Sequence, residues 1–110
     1  MASTDPYAHP SPERAETDAL PGATLLEFGT NWCGHCRAAQ PVIAGALQAR
    51  SEHSLRHVKV EDGSGRPLGR SFKVKLWPTL VFLKDGVEVA RLVRPADSAA
   101  IGEALAAIGA

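Results

Sequence analysis

The chain has 110 residues, room for one domain with a modest core. Its 12 basic and 12 acidic residues cancel, no Lys/Arg-rich run breaks the balance, and aromatics are few, which argues against a nucleic-acid-binding surface. No apolar stretch approaches the roughly 18 residues that a membrane span needs. The first ten residues have neither the basic start nor the apolar centre of a secretory signal, so a cytoplasmic location is expected.

Pro6, Pro10 and Pro12, set among Ser, Thr and Asp, read residues 1–11 as a flexible N-terminal arm, with one domain over 12–110. Ser11 followed by Pro12 reads as a cap and first helical position, with a short helix from Pro12 to Leu20 that Pro21 and Gly22 stop. Thr24 to Thr30 is an apolar strand. Cys33 or Gly34 opens a helix to about Ser51, with Ala39, Val42, Ile43, Ala46 and Leu47 at helical spacing and Pro41 expected to bend it. Leu55 to Glu61 is a second strand, 62–65 a loop, and Pro67 to Phe72 a short helix. Thr79 to Leu83 and Val87 to Val93 are strands joined by a turn at Lys84-Asp85-Gly86. Asp97 or Ser98 caps a last helix to about Ile108, with Ile101, Leu105 and Ile108 on its apolar face. The order is (α)βαβαββα. A helix joins the first two strands, so they should be parallel; the last two should form an antiparallel hairpin.

The only two cysteines lie in Trp32-Cys33-Gly34-His35-Cys36, between the first strand and the long helix. Thiols at i and i+3 of a helix start share a face, near enough to make and break a disulfide. The unpaired N–H groups and positive end of the dipole favour thiolate over thiol there. A zinc site is the rival reading, to which His35, His53 and His57 could contribute, but a second Cys-x-x-Cys is absent. Haem attachment needs His after the second Cys, and Arg37 stands there.

This strand-to-helix dithiol, with Pro78-Thr79 about forty residues on, resembles thioredoxin. The resemblance runs from about Asp18 to Ala110 and is carried by Phe28, Trp32, Cys33, Gly34, Cys36, Pro41, Lys59, Pro78, Thr79, Phe82 and Gly86. It implies an α/β, thioredoxin-like fold around a central mixed sheet. The chain departs from the pattern in three ways. Gly34-His35 replaces the usual Gly-Pro and is the pair found in protein disulfide isomerase domains. Glu27 stands where Asp is usual. The first thioredoxin strand is missing, since residues 1–10 make a poor strand, leaving about four.

The first cysteine, at an exposed helix start, reads as the attacking thiol, and Cys36 as the resolving one. His35 beside Cys33 should stabilise the thiolate and make the pair more oxidising. Glu27 is a carboxylate in an apolar strand, costly unless paired or functional. By resemblance it lies behind Cys36 and exchanges its proton, with Lys59 as its partner; a purely structural Glu27–Lys59 pair is the alternative. The resemblance also implies a cis Pro78 beside the disulfide, whose neighbouring backbone pairs with a substrate strand. Trp32, Trp77, Pro78, Thr79 and Arg94 would then border the docking groove. Trp77 is bulkier than the usual residue and Arg94 replaces a usual Gly.

Together these readings give a thiol–disulfide oxidoreductase that reduces protein disulfides through Cys33 and Cys36. It is expected to be a monomer that binds no cofactor, and the resemblance implies electrons from an NADPH-dependent thioredoxin reductase. Two alternatives remain: a disulfide isomerase or oxidase, suggested by Gly34-His35, and a non-enzymatic module that docks through the groove near Trp77 and Arg94.

Overall fold

The continuous apolar run of the first strand decides the architecture, because both of its faces must be covered. The computed structural model describes residues 7–50 and 54–110. Eight elements follow one another: α1 (Arg14–Asp18), β1 (Ala23–Gly29), α2 (Gly34–Gln48), β2 (Arg56–Glu61), α3 (Pro67–Ser71), β3 (Thr79–Lys84), β4 (Val87–Val93) and α4 (Ser98–Ala107). The strands make one mixed sheet in the order β2-β1-β3-β4, with β1 and β2 parallel and the other pairs antiparallel. The expected element order and four strands are therefore found.

On one face Leu25, Leu80 and Phe82 pack against Ala39, Ile43 and Ala46 of α2 and Ile101 and Leu105 of α4. On the other, Leu26, Phe28, Val60 and Val81 pack against Leu68 of α3 and Phe72. Each fully buried Leu, Ile or Phe contributes about 1.5–3 kcal/mol, so these two layers supply most of the drive to fold. Glu27 has the parity of Leu25, which turns it toward α2.

The boundaries differ in places. The first helix starts at Arg14, not Pro12, and its cap is Glu13 rather than Ser11. The Glu16 carboxylate accepts from the Glu13 N–H at 2.9 Å, half of a capping box that Ser11 has no partner to match. Helix α2 runs unbroken through Pro41 and ends at Gln48, short of Ser51, which lies outside the described residues. The hairpin turn is Asp85-Gly86, both at positive φ (50° and 80°), as a two-residue turn on twisted strands demands. No described helix is long and apolar enough to cross a membrane.

Of the expected N-terminal arm, residues 1–6 lie outside the described residues. Ala8 meets the sheet edge, its N–H donating to the Lys59 carbonyl at 2.8 Å. Backbone groups of one residue point to one side of a strand, so His57, Lys59 and Glu61 face away from β1, while Val58 and Val60 face it. Amide hydrogen exchange should therefore be faster at His57 and Lys59 than at Leu25 to Phe28, which are paired on both sides. Equal protection along β1 and β2 would mean that a further strand covers this edge.

Candidate active site

Strand β1 delivers the chain to the start of α2 at the carboxyl end of the sheet. Cys33 is the N-cap, and its sulfur accepts from the Cys36 N–H at 3.1 Å, the place a side-chain oxygen takes in an ordinary cap. Both cysteines are thiols. Cys36, one turn in, is 3% exposed. Cys33, expected at an exposed helix start, is only 7% exposed; its sulfur turns back toward Cys36 and lies 4.0 Å from the Trp77 carbonyl oxygen. Gly34 and His35 are exposed on the first turn, and the space beside Gly34 is open.

The rim is built from sequence-distant pieces. Trp32, 71% exposed, meets Trp77 edge to face at 5.4 Å. The Trp77 indole donates to Asp62 at 2.8 Å, which fixes the ring. The Trp77–Pro78 bond is cis, and Pro78 and Thr79 are buried. Arg94 has φ +49°, a backbone state that costs a non-glycine residue about 1 kcal/mol or more. Its N–H donates to the Pro78 carbonyl at 2.9 Å and its Nε to the Trp77 carbonyl at 2.8 Å. The guanidinium therefore sits on the same carbonyl that borders Cys33.

Beneath the thiols lies Glu27, 1% exposed. The expected partner was Lys59, and β1 and β2 do align Glu27 with Lys59. The carboxylate is held otherwise: Oε1 lies 2.8 Å from His57 Nε2, and Oε2 accepts from Gln40 Nε2 at 2.8 Å. Lys59 connects only through Gln40, whose Oε1 is 3.5 Å from Nζ. The physical reason is reach: Leu25 pairs with His57, so His57 shares the face of Glu27 one step away, and Gln40 comes down from α2 between carboxylate and lysine. Burial alone would raise the Glu27 carboxyl. The hydrogen bonds of His57 and Gln40 and the charges of His57 and Lys59 outweigh it, so the carboxyl titrates below its ordinary range. Gln40 also donates to the Cys36 carbonyl at 3.1 Å, which ties the thiol-bearing turn to the buried acid.

Cys36 is affected in the other direction. Burial, its hydrogen bond with Cys33 and the charges of Cys33 and Glu27 push its thiol up to about 12, against a lowering contribution from the Thr30 backbone. Its sulfur also crowds Gly29: a β-carbon there would stand 2.6 Å from Sγ and 3.3 Å from the Tyr7 hydroxyl oxygen.

His57, Gln40, Asp62 and Tyr7 were not singled out as active-site residues from sequence. Gln40 carried a signal, being a polar residue among buried positions Cys36, Ala39 and Ile43 of α2. His57 is the strand residue that shares the parity of Lys59. Asp62 and Tyr7 act over long sequence separations and carried none. Among the described residues no group of three or more His, Cys, Asp or Glu side chains is placed to hold a metal; His53, the third histidine of the zinc reading, lies outside them.

Two predictions follow from the packing. Gly29→Ala should displace the Cys36 sulfur and cost about 1–3 kcal/mol in urea unfolding; parent-like stability with an unmoved sulfur would contradict the contact. Glu27 ionises more readily in the folded chain than in the unfolded one. It therefore stabilises the fold above the unfolded carboxyl range near pH ~4, and that contribution is lost as pH falls through its lower folded value. Glu27→Gln should be less stable than the parent at neutral pH, with the gap narrowing on acidification. A gap that stays constant would remove the linkage.

A family model described as Thioredoxin matches residues 16–107. Among solved structures, thioredoxin 2 from Pseudomonas aeruginosa in its reduced form is 54% identical, with a TM-score of 0.83 and coverage of 97% of this chain and 98% of that one. The thioredoxin of Chlamydia trachomatis serovar D is 41% identical over 66% of this chain and 69% of its own length. The protein disulfide-isomerase of Gallus gallus is 38% identical over 60% of this chain, a match that spans 13% of the isomerase.

Proposed function

Because the chain belongs to the thioredoxin family and is a thiol–disulfide oxidoreductase of protein disulfides, we propose that Cys33 and Cys36 perform that reaction in two steps. In the first, the Cys33 thiolate attacks one sulfur of a substrate disulfide. That bond breaks, its other sulfur leaves as a thiolate and takes a proton, and a mixed disulfide joins Cys33 to substrate. In the second, Cys36 attacks the Cys33 sulfur and releases the substrate's remaining sulfur as a thiol. Two electrons have passed to substrate, and a Cys33–Cys36 disulfide remains. The family needs no bound cofactor.

The observation that carries this assignment is the unequal setting of the two thiols. Cys33 lies at the rim formed by Trp32, Trp77 and Arg94, where a substrate arrives. Cys36 is deeper, and its thiol is held near 12. Two of the causes that hold it there are its hydrogen bond with Cys33 and the Cys33 charge. Both end once Cys33 is bonded to substrate, so Cys36 becomes easier to ionise at the step that needs its thiolate. Glu27, oriented by Gln40 and His57 and with Lys59 adding charge from a distance, is the nearby relay for that proton; held below the ordinary carboxylate range, it passes the proton on and does not keep it. Gly34 leaves the helix start open, and His35 adjusts the stability of the Cys33 thiolate. Trp32, Trp77, Pro78, Thr79 and Arg94 form the substrate rim. We place the reaction in a reducing compartment, the cytoplasm, with the chain monomeric and recharged by an NADPH-dependent thioredoxin reductase.

Cys33→Ser should lose reduction of a model protein disulfide while circular dichroism stays parent-like, and Cys36→Ser should accumulate the mixed disulfide. Activity of Cys33→Ser within a few-fold of the parent would overturn the assignment. His35→Pro should make the pair more reducing, moving it from between the isomerase value of roughly −180 mV and the thioredoxin value of roughly −270 mV toward the latter. Equilibration with glutathione measures it. A shift toward the oxidising side would overturn the role of His35, and a parent near the isomerase value would favour isomerase or oxidase work over net reduction.

A further inference from the structure

The N-terminal arm brings a phenol to the inner thiol. Tyr7 lies far from Cys36 in sequence, yet its hydroxyl oxygen and the Cys36 sulfur converge on one point, the empty β-carbon position of Gly29, at 3.3 and 2.6 Å. The arm is anchored there twice. The Ala8 N–H donates to the Lys59 carbonyl at 2.8 Å, and the Tyr7 ring lies 5.0 Å from Lys59 Nζ. Because residue 29 has no side chain, the Cys36 sulfur occupies that position, and the Tyr7 hydroxyl approaches it from outside the sheet.

We propose that the Tyr7 hydroxyl donates a hydrogen bond to the Cys36 sulfur as it becomes a thiolate, making Tyr7 a participant in release of the mixed disulfide. This rests on the two-step reading above. The groups that face the phenol are Cys33 and Cys36 from α2, Glu27 from β1, and Lys59 and Glu61 from β2. His57 adjoins them across Glu27. Burial, followed by the charges of Cys36, Glu27, Cys33 and Glu61, raises the Tyr7 hydroxyl above its ordinary range. It therefore stays protonated throughout the reaction, a donor and not a base. The proton of Cys36 leaves by way of Glu27, and the O–H of Tyr7 remains with Tyr7. No bond to Tyr7 forms or breaks. A neutral donor at this place favours the charged form of the neighbouring sulfur, whose own setting opposes ionisation.

Single-turnover stopped-flow with a fluorescent model disulfide separates formation of the mixed disulfide from its decay. Tyr7→Phe removes the hydroxyl and keeps the ring. It should slow decay on the order of tenfold, the effect of one hydrogen bond to a charged group, and slow formation much less. Its decay rate should also rise at higher pH than the parent's. Decay in Tyr7→Phe that overlays the parent in rate and pH profile would overturn the proposal. So would a slow phase seen in Tyr7→Ala but not in Tyr7→Phe, since the ring alone would then matter. Cys36→Ser run beside them separates the two levels of inference. Loss of decay there with no effect of Tyr7→Phe removes only the role of Tyr7, whereas decay that persists without Cys36 removes the two-step reading and this proposal with it.

Discussion

A carboxylate that is 1% exposed must be held by donors, and around Glu27 this requirement joins three elements. Leaving such a charge unpaired costs several kcal/mol, and a hydrogen bond to a charged group returns about 1.5–3 kcal/mol. One donor does not suffice; His57 from β2 and Gln40 from α2 together do. Gln40 is the joint of the arrangement, because its amide bonds both the Glu27 carboxylate and the Cys36 carbonyl. The turn that carries the thiols is thus fixed to the sheet by the same bonds that keep the acid ionised. Structure and chemistry at this place have one cause.

Elements written in local patterns were legible. The apolar run of β1, the helical spacing of α2, the Asp85-Gly86 turn and the Asp97 cap of α4 each follow from a few neighbouring residues, and the parallel first pair and the closing hairpin follow from how they connect; the pairing of β1 with β3 does not. Where two local signals compete, sequence alone misjudges the winner. Ser11-Pro12 is a good helix start, but Glu13 and Glu16 satisfy each other's turn better, and the helix begins there. Helix α2 shows the same limit at its other end. Nothing in Ala49-Arg50-Ser51 marks a stop; the Arg50 side chain turns instead to the Ala110 carbonyl, a contact sixty residues away.

The site was legible to the same depth. The spacing of Cys33 and Cys36 and the misfit of Glu27 in an apolar strand are local facts. The partner of Glu27 is not. Lys59 is the expected partner on the neighbouring strand, and the structure does align the two backbones. Which side chain reaches the carboxylate depends on what descends from the layer above, and Gln40 intervenes. The rim has the same character: Asp62 orients Trp77, and Arg94 accepts a left-handed backbone so that its guanidinium reaches the Trp77 carbonyl. An arginine in that conformation persists only because Pro78 and Trp77 hold it by two hydrogen bonds, and such persistence is a property of assembled structure.

The edge that β2 presents among the described residues and the bare α-carbon of Gly29 belong together. Among the described strands β2 lies at an edge, and Gly29, without a side chain, lets the Cys36 sulfur come close to β1. Among the described residues of the arm, Ala8 makes one backbone bond to β2, and its neighbour Tyr7 brings its hydroxyl to the Cys36 side of Gly29. The aromatic ring then lies against the Lys59 ammonium. An irregular arm places a hydroxyl where a regular strand could place only alternating side chains at fixed spacing, and that freedom is what brings Tyr7 to the Cys36 sulfur.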